Sequence, residues 1–432
     1  TACIGWFADQ FGRKRMYLIA IAGFAATLLG CGLSTTIEQA VLWRFLQGVF
    51  GAALIPIGQL IAVSVWPPER HGQATSLWAL GFVSANVIAP SIAGVIVENL
   101  GWPWIFYITL PFAVAVFVAS LFLVPVSAPN QRPLDWLGFV SLIIGISVLQ
   151  LMLARGERLD WFESTEILIE ASIAGTCLYV FLVHTITAER PFYDRSLFLD
   201  RNFAVGQIYI FLLGSVMFLP LLLLPLLLQQ IAGYPVIDTG YLLLSRGVGS
   251  VLGLLVMAKL KGKTDPRPVL VIGIVMTAYA AWSMSTWTVD VRAIDVIYTN
   301  FLHGLATGFI WAPLNVLTLS RLNPRVQDQG FSLFYLNFDV GYSIGTAIVI
   351  GMHARHSQIN RSVLAEHVSP FSTVAIPEPW TLSDSAGLAA IQIEVERQAT
   401  MIAFNNSFMV SAIALIVLIP FIFVFKFKPH HG

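Results

Sequence analysis

Twelve long apolar runs leave this chain few ways to fold. They span residues 16–34, 38–65, 72–97, 104–124, 136–153, 166–187, 203–229, 238–260, 269–287, 295–319, 326–351 and 404–425. A helix that crosses a bilayer needs about 20 mainly apolar residues, and lipid offers the backbone no outside hydrogen-bond partner, so each run reads as a spanning helix. Charge is correspondingly scarce: 11% of the 432 residues are charged, against roughly 25% in soluble domains. The chain is therefore read as an all-α, polytopic integral membrane protein. Its formal net charge of zero gives no sign of nucleic-acid binding. Cys3, Cys31 and Cys177 lie far apart in apolar runs and suggest neither a metal site nor a disulfide framework. No cofactor is expected. No phosphate-cradling G-x-x-x-x-G-K-[ST] loop is present, so energy for any transport should come from an ion gradient.

The positions of Lys and Arg orient these runs. Arg13, Lys14 and Arg15 form a bare cationic cluster between two apolar stretches, which reads as a tight cytoplasmic hairpin. With that hairpin inside and the runs alternating, sixteen loop cations fall on the cytoplasmic side and six outside. Cytoplasmic loops are the ones enriched in Lys and Arg, so the excess supports this orientation and the helix count with it. The long hydrophilic stretch 353–403 then lies outside. Its 370–379 segment reads as loop, and a short amphipathic helix is expected from Ser383 into the last span.

An internal repeat divides the chain. At a constant offset of 256 residues, Phe45, Leu46, Gly48, Ser64, Pro68, Gln73, Ser76 and Leu77 meet identical residues, eight in 33 positions, where about two or three are expected from typical residue frequencies. Both copies have the same orientation, so the repeat is parallel. Transporters are often built this way, with substrate held between the halves near the midplane.

A few polar residues sit inside the apolar runs. Arg44 costs about 2.5–3.5 kcal/mol to place in a membrane helix and therefore should face a cavity or a partner. Gln47 lies on the same helical face. Asn300, His303, Thr307 and Trp311 form a stripe at helical spacing, which either lines a cavity or bonds a neighbouring helix. Asp339 falls on the order of 20 Å into its run, deep in a hydrocarbon core about 30 Å thick. Tyr335, Tyr342 and Ser343 are its helical neighbours. A carboxylate at that depth is a candidate to load and release a proton, to contact a cationic substrate or to pair with His303. Helix packing alone is the alternative.

Several stretches resemble a known family. Gly5, Asp9, Gly12, Arg13 and Lys14, in GWFADQFGRKRMYL, resemble the loop motif between the second and third helices of the major facilitator superfamily, with Gln10 where a cation is usual. Arg44 and Gln47, in R-x-x-Q-G, resemble the motif on its fourth helix, whose Arg is implicated in proton transfer. Ala89, Pro90, Ala93 and Gly94, with Ala85, resemble the antiporter motif G-x-x-x-G-P-x-x-G-G, three glycines being replaced by alanine. WPWIFYITLP at 102–111 is similar to a signature of the fourteen-helix drug:proton antiporters of EmrB/QacA type, with Thr109 where Asn is usual. YSIGTAI at 342–348 and QATMIAFNNSF at 398–408 point to the same branch.

This resemblance implies a major facilitator fold of two parallel-repeat helical bundles plus an inserted helix pair. Residues 1–127 would form the N-terminal bundle, 128–190 the inserted pair and 191–432 the C-terminal bundle with its outer loop 353–403. The first helix and most of the second would lie outside this chain. The implied function is proton-coupled export of small hydrophobic or aromatic compounds by alternating access, in the cell membrane, and not an enzyme activity. The implied partners are a small-molecule substrate, protons, the lipid bilayer and, in a two-membrane bacterium, a periplasmic adaptor. Two departures keep other readings in view: the acidic residue of the family's first helix is not in this chain, and Phe338 stands where an Arg is frequent. A transport-inactive sensor on the same fold, or an exporter of one specific metabolite, are those readings.

Overall fold

The structure is a computed structural model describing residues 4–66, 71–126, 134–260, 265–319, 322–323, 326–368 and 385–426. The described residues are helical almost throughout, and each of the twelve apolar runs falls on helix. Eleven spans among the described residues are long and apolar enough to cross a membrane.

The cationic hairpin is tighter than a loop. Helix α1 (Ile4–Phe11) ends, Gly12 turns the chain at φ +84°, and α2 (Arg13–Gly32) starts at the next residue. A positive φ of that size is open to glycine and strained for other residues. Lys14 Nζ then reaches 2.8 Å to the carbonyl of Leu121, near the end of α5 (Trp104–Leu123), where a cation satisfies a helix-terminal carbonyl. Helix α3 (Ile37–Ser64) and α5 both pack against α2. Helix α4 (His71–Leu100) contacts α3 and α5, but its main partner is α11 (Val236–Leu260), in the second half of the chain.

Helices α6 (Trp136–Arg155) and α7 (Thr165–Thr187) form a hairpin whose main contacts are with each other. Asp135 caps α6 by accepting from Gly138 N at 3.0 Å, and it also lies 2.7 Å from His184 Nε2 on α7. At the other end, Arg155 pairs with Glu170 at 2.9 Å and with Glu166. The outer turn of this hairpin, through two short 3₁₀ turns, closes a cavity of about 700 Å³ with Gly351, Arg355 and His356.

A short helix, α8 (Ser196–Leu199), leads into the second half. There the 203–229 run differs from expectation: it is broken. Helix α9 (Arg201–Met217) ends at Phe218 and α10 (Leu219–Gln230) restarts at once. Pro220 has no N–H to give, and the N–H groups of Leu221 and Leu222 both turn to Phe218 O. Helices α12 (Pro266–Met284) and α13 (Ala293–Leu319) follow, and α11 packs most closely on α13. That crossing is backbone on backbone, because a Cβ on Gly304 would collide with Arg246 O and one on Gly249 with Phe301 O.

The outer region also departs from expectation. Helix α14 (Gln327–Glu366) runs unbroken for 40 residues and α15 (Ser385–Leu418) for 34. At 1.5 Å per residue α14 is about 60 Å long, twice the hydrocarbon thickness. Most of 353–403 is therefore continuous with the two spans rather than a loop with a separate short helix. Residues 352–366 contain neither Gly nor Pro, so no residue there interrupts a helix already under way. The 370–379 segment lies outside the described residues. Ser357 and Thr400 bond at 3.2 Å across the projecting pair.

Candidate functional site

Arg44 sits seven residues into α3, about 10 Å from that helix end. Its Nη1 donates to Gln47 Oε1 at 3.2 Å, and its guanidinium lies 4.7 Å from the centroid of the Phe106 ring on α5. Gln47 is buried while Arg44 stays exposed. The sequence-expected pair is therefore formed, with an aromatic face as the third member, and the ring quadrupole stabilises the cation.

In the second half, the polar residues gather at the break in α9–α10. Because Leu221 N turns to Phe218 O, the carbonyl of Met217 is released from the helix ladder, and His303 Nε2 takes it at 3.0 Å. His303 is fully buried and its Nδ1 has no partner. The expected stripe along α13 is only partly an interface: Asn300 Nδ2 donates to Val296 O and Thr307 Oγ1 to His303 O, both within their own helix. Trp311 instead joins an aromatic cluster, 5.1 Å from the Phe338 ring and 6.2 Å from Tyr335.

Phe338 packs inward from α14 against Trp311 and, at 5.6 Å, Phe218. The next residue, Asp339, is exposed. The pairing of Asp339 with His303 is not formed: the histidine uses Nε2 on the helix-break carbonyl, and its Nδ1 has no partner. By residue count Asp339 lies about 18 Å from the inner end of α14, still mid-membrane.

Sequence reasoning missed Arg246. It sits ten residues into α11, only 7% exposed, with its guanidinium 5.3 Å from the Phe218 ring centroid. Its Nη2 has no hydrogen-bond partner. None of the ion pairs among the described residues includes it. The same argument from the cost of intramembrane charge that singles out Arg44 applies to it.

Of the antiporter-like residues on α4, Gly94 is buried and faces α11, where a Cβ would meet Val236 at 3.8 Å. Ala93 is half-buried and Ala89 exposed. Pro90 lies within an unbroken α4. The surroundings of its side chain, of Gly5 and of the Asp9 side chain are outside the described set.

The sequence matches the Major Facilitator Superfamily over residues 1–346. The chain belongs to this superfamily. It is 30% identical to the multidrug export protein EmrB of Haemophilus influenzae, over 99% of this chain and 85% of that protein. It is equally similar, at 30%, to the fatty acid resistance protein FarB of Neisseria gonorrhoeae, over 99% and 86%, and 29% identical to EmrB of Escherichia coli K12, over 98% and 84%. Among solved structures, a peptide transporter, POT, superposes with a TM-score of 0.62 at 15% identity, covering 98% of this chain and 83% of that one. The human organic anion transporter MFSD10 gives 0.61 at 13% identity, over 96% and 79%. These two share the fold. As a member of the superfamily the chain is a multi-pass membrane transporter of the cell membrane, the inner membrane in bacteria.

Proposed function

We propose that this major facilitator exports small hydrophobic or aromatic compounds by alternating access, driven by proton entry. Its near end-to-end similarity to proteins named for multidrug export carries the reading. Residues 1–127 and 191–432 act as the two rocking halves, and 128–190 as a helix pair added between them. Arg44 with Gln47 and the mid-membrane carboxylate Asp339 are the proton-handling groups, His303 holds the helix break, and Gly5, Asp9, Gly12, Arg13 and Lys14 form the cytoplasmic turn between α1 and α2, from which Lys14 latches α2 to α5. Ala89, Pro90, Ala93 and Gly94 shape the contact of α4 with α11, across which the halves pivot. Ionisable groups at membrane depth favour this assignment because they are retained at a cost in insertion. A periplasmic adaptor would extend the export path in a two-membrane bacterium. The site is a transport path and not an enzyme centre.

The experiment is substrate flux by the full-length protein in inverted vesicles, with and without an imposed pH gradient. Gradient-dependent uptake of aromatic compounds is expected. Binding without flux would instead identify a sensor on a transporter fold, and flux of a single compound out of a broad panel would identify a dedicated metabolite exporter.

A further inference from the structure

The break at Phe218 brings together groups whose needs the chain leaves unmet. Arg246 is a desolvated guanidinium in the middle of a membrane helix, with one ring face beneath it, no carboxylate paired with it among the described residues and an unused Nη2. A cation–π contact recovers only part of what an arginine loses on leaving water, and an unpaired buried charge is among the costlier arrangements a protein can hold. Asp339, three residues from Tyr342 on α14, is exposed and makes no ion pair with Arg246 among the described residues. Met217 O, the other candidate acceptor at the break, is taken by His303 Nε2. That bond requires a proton on Nε2, so the neutral ring leaves Nδ1 as an acceptor, also unused. Around these donors and acceptors the walls are aromatic: the Phe218 ring lies 6.4 Å from Tyr342 and 5.6 Å from Phe338.

We propose that Arg246, at the α9–α10 break, is the anion subsite of the transport path, and that it takes the carboxylate of an amphipathic aromatic acid whose ring stacks among Phe218, Tyr342 and Phe338. The guanidinium fork matches a carboxylate in shape and charge. The ligand supplies the counter-ion that the chain withholds, and the open Nδ1 of His303 accepts one N–H or O–H from the ligand or its bound water. A broken helix near the midplane is where transporters commonly place such a site, because backbone groups there are free to meet a ligand. This inference rests on the transport reading for its purpose, but its test is equilibrium binding, which a failure of proton coupling would leave untouched.

The test uses the whole chain purified in lipid nanodiscs and two probes of nearly equal shape, 9-anthroate and the neutral 9-anthramide, titrated by fluorescence. The parent should bind the acid about tenfold or more tightly than the amide, the preference expected when one charged pair is desolvated. Arg246→Gln should bring the ratio to about one by weakening the acid alone, since the amide needs no counter-charge. Unchanged amide affinity certifies that this variant is folded. Arg246→Lys should keep a reduced preference for the acid. Equal affinities in the parent would overturn the proposal whether or not any variant folds. So would an acid preference that survives Arg246→Gln.

Discussion

Helices α3 and α13 occupy equivalent places in the repeat, yet they handle charge in opposite ways. At the 256-residue offset Arg44 meets Asn300 and Gln47 meets His303. In the first half the cation stands on the repeated helix itself, exposed, bonded to its own Gln47 and laid over Phe106. In the second half the repeated helix carries no charge at this level, and a cation enters from the neighbouring α11 as Arg246, buried over Phe218. The pairing of a guanidinium with an aromatic face thus occurs in both halves while the helix that supplies it changes. An exposed cation can exchange partners with water and with small ions. A buried one must wait for a ligand to supply its counter-charge, because water cannot screen it. The repeat therefore preserves the scaffold and separates two electrostatic roles.

The largest expected effect tests the exposed member. Arg44→Ala should abolish gradient-driven uptake in inverted vesicles while the protein still inserts and purifies, because the change removes a charge retained against the membrane's cost. Uptake at the parent rate would end the assignment and leave the contrast between the halves without functional meaning. Asp339→Asn comes next. It keeps size and polarity but cannot carry a proton, so initial rates of uptake should lose their dependence on pH. A profile that still follows pH in the Asn variant would move proton coupling elsewhere.

Two glycines related by the repeat sharpen the structural side. A Cβ on Gly48 meets nothing within 4 Å, whereas one on Gly304 collides with Arg246 O. Gly304→Ala should therefore lower the unfolding temperature, by the equivalent of about 1–3 kcal/mol for overpacking. Gly48→Ala should be neutral or raise it slightly, by up to about 1 kcal/mol from helix propensity. Thermal scans in one detergent would compare them directly, and equal responses would mean that α3 and α13 are packed alike. Gly94→Leu should slow export more than it reduces yield. Its neighbour Val236 leaves room for a methyl group at 3.8 Å but not for a branched side chain. Yield and transport falling together would make Gly94 a packing residue only.

Hydropathy made the spans legible, since lipid imposes both length and apolarity on a crossing helix. It could not reveal the long outer helices, because polarity reports exposure to water and says nothing about whether the backbone stays helical. The better signal there was the lack of Gly and Pro after Gly351. The break at Phe218 was visible only as Pro220 in a leucine-rich run that also holds Pro225, which stays within α10. What the freed carbonyl would bind depended on α13, more than eighty positions away. Arg246 was within reach of the sequence. Of the 24 Lys and Arg residues all but two, Arg44 and Arg246, lie outside the apolar runs or at their ends. The first drew notice because a motif surrounds it, and the second has no motif to announce it.

Helix α14 has one mechanical consequence. Its unbroken run fixes the angle at the membrane's middle to the position of a point well outside it, as a rod does. Glu366 is 27 residues beyond Asp339, about 40 Å at 1.5 Å per residue. A tilt of about 10° pivoting at Asp339 would sweep that tip through roughly 7 Å over such a length. A lever of this kind magnifies motions too small to follow at the pivot. A spin label at Ser362, measured against one on a neighbouring helix, would read the tilt as a distance.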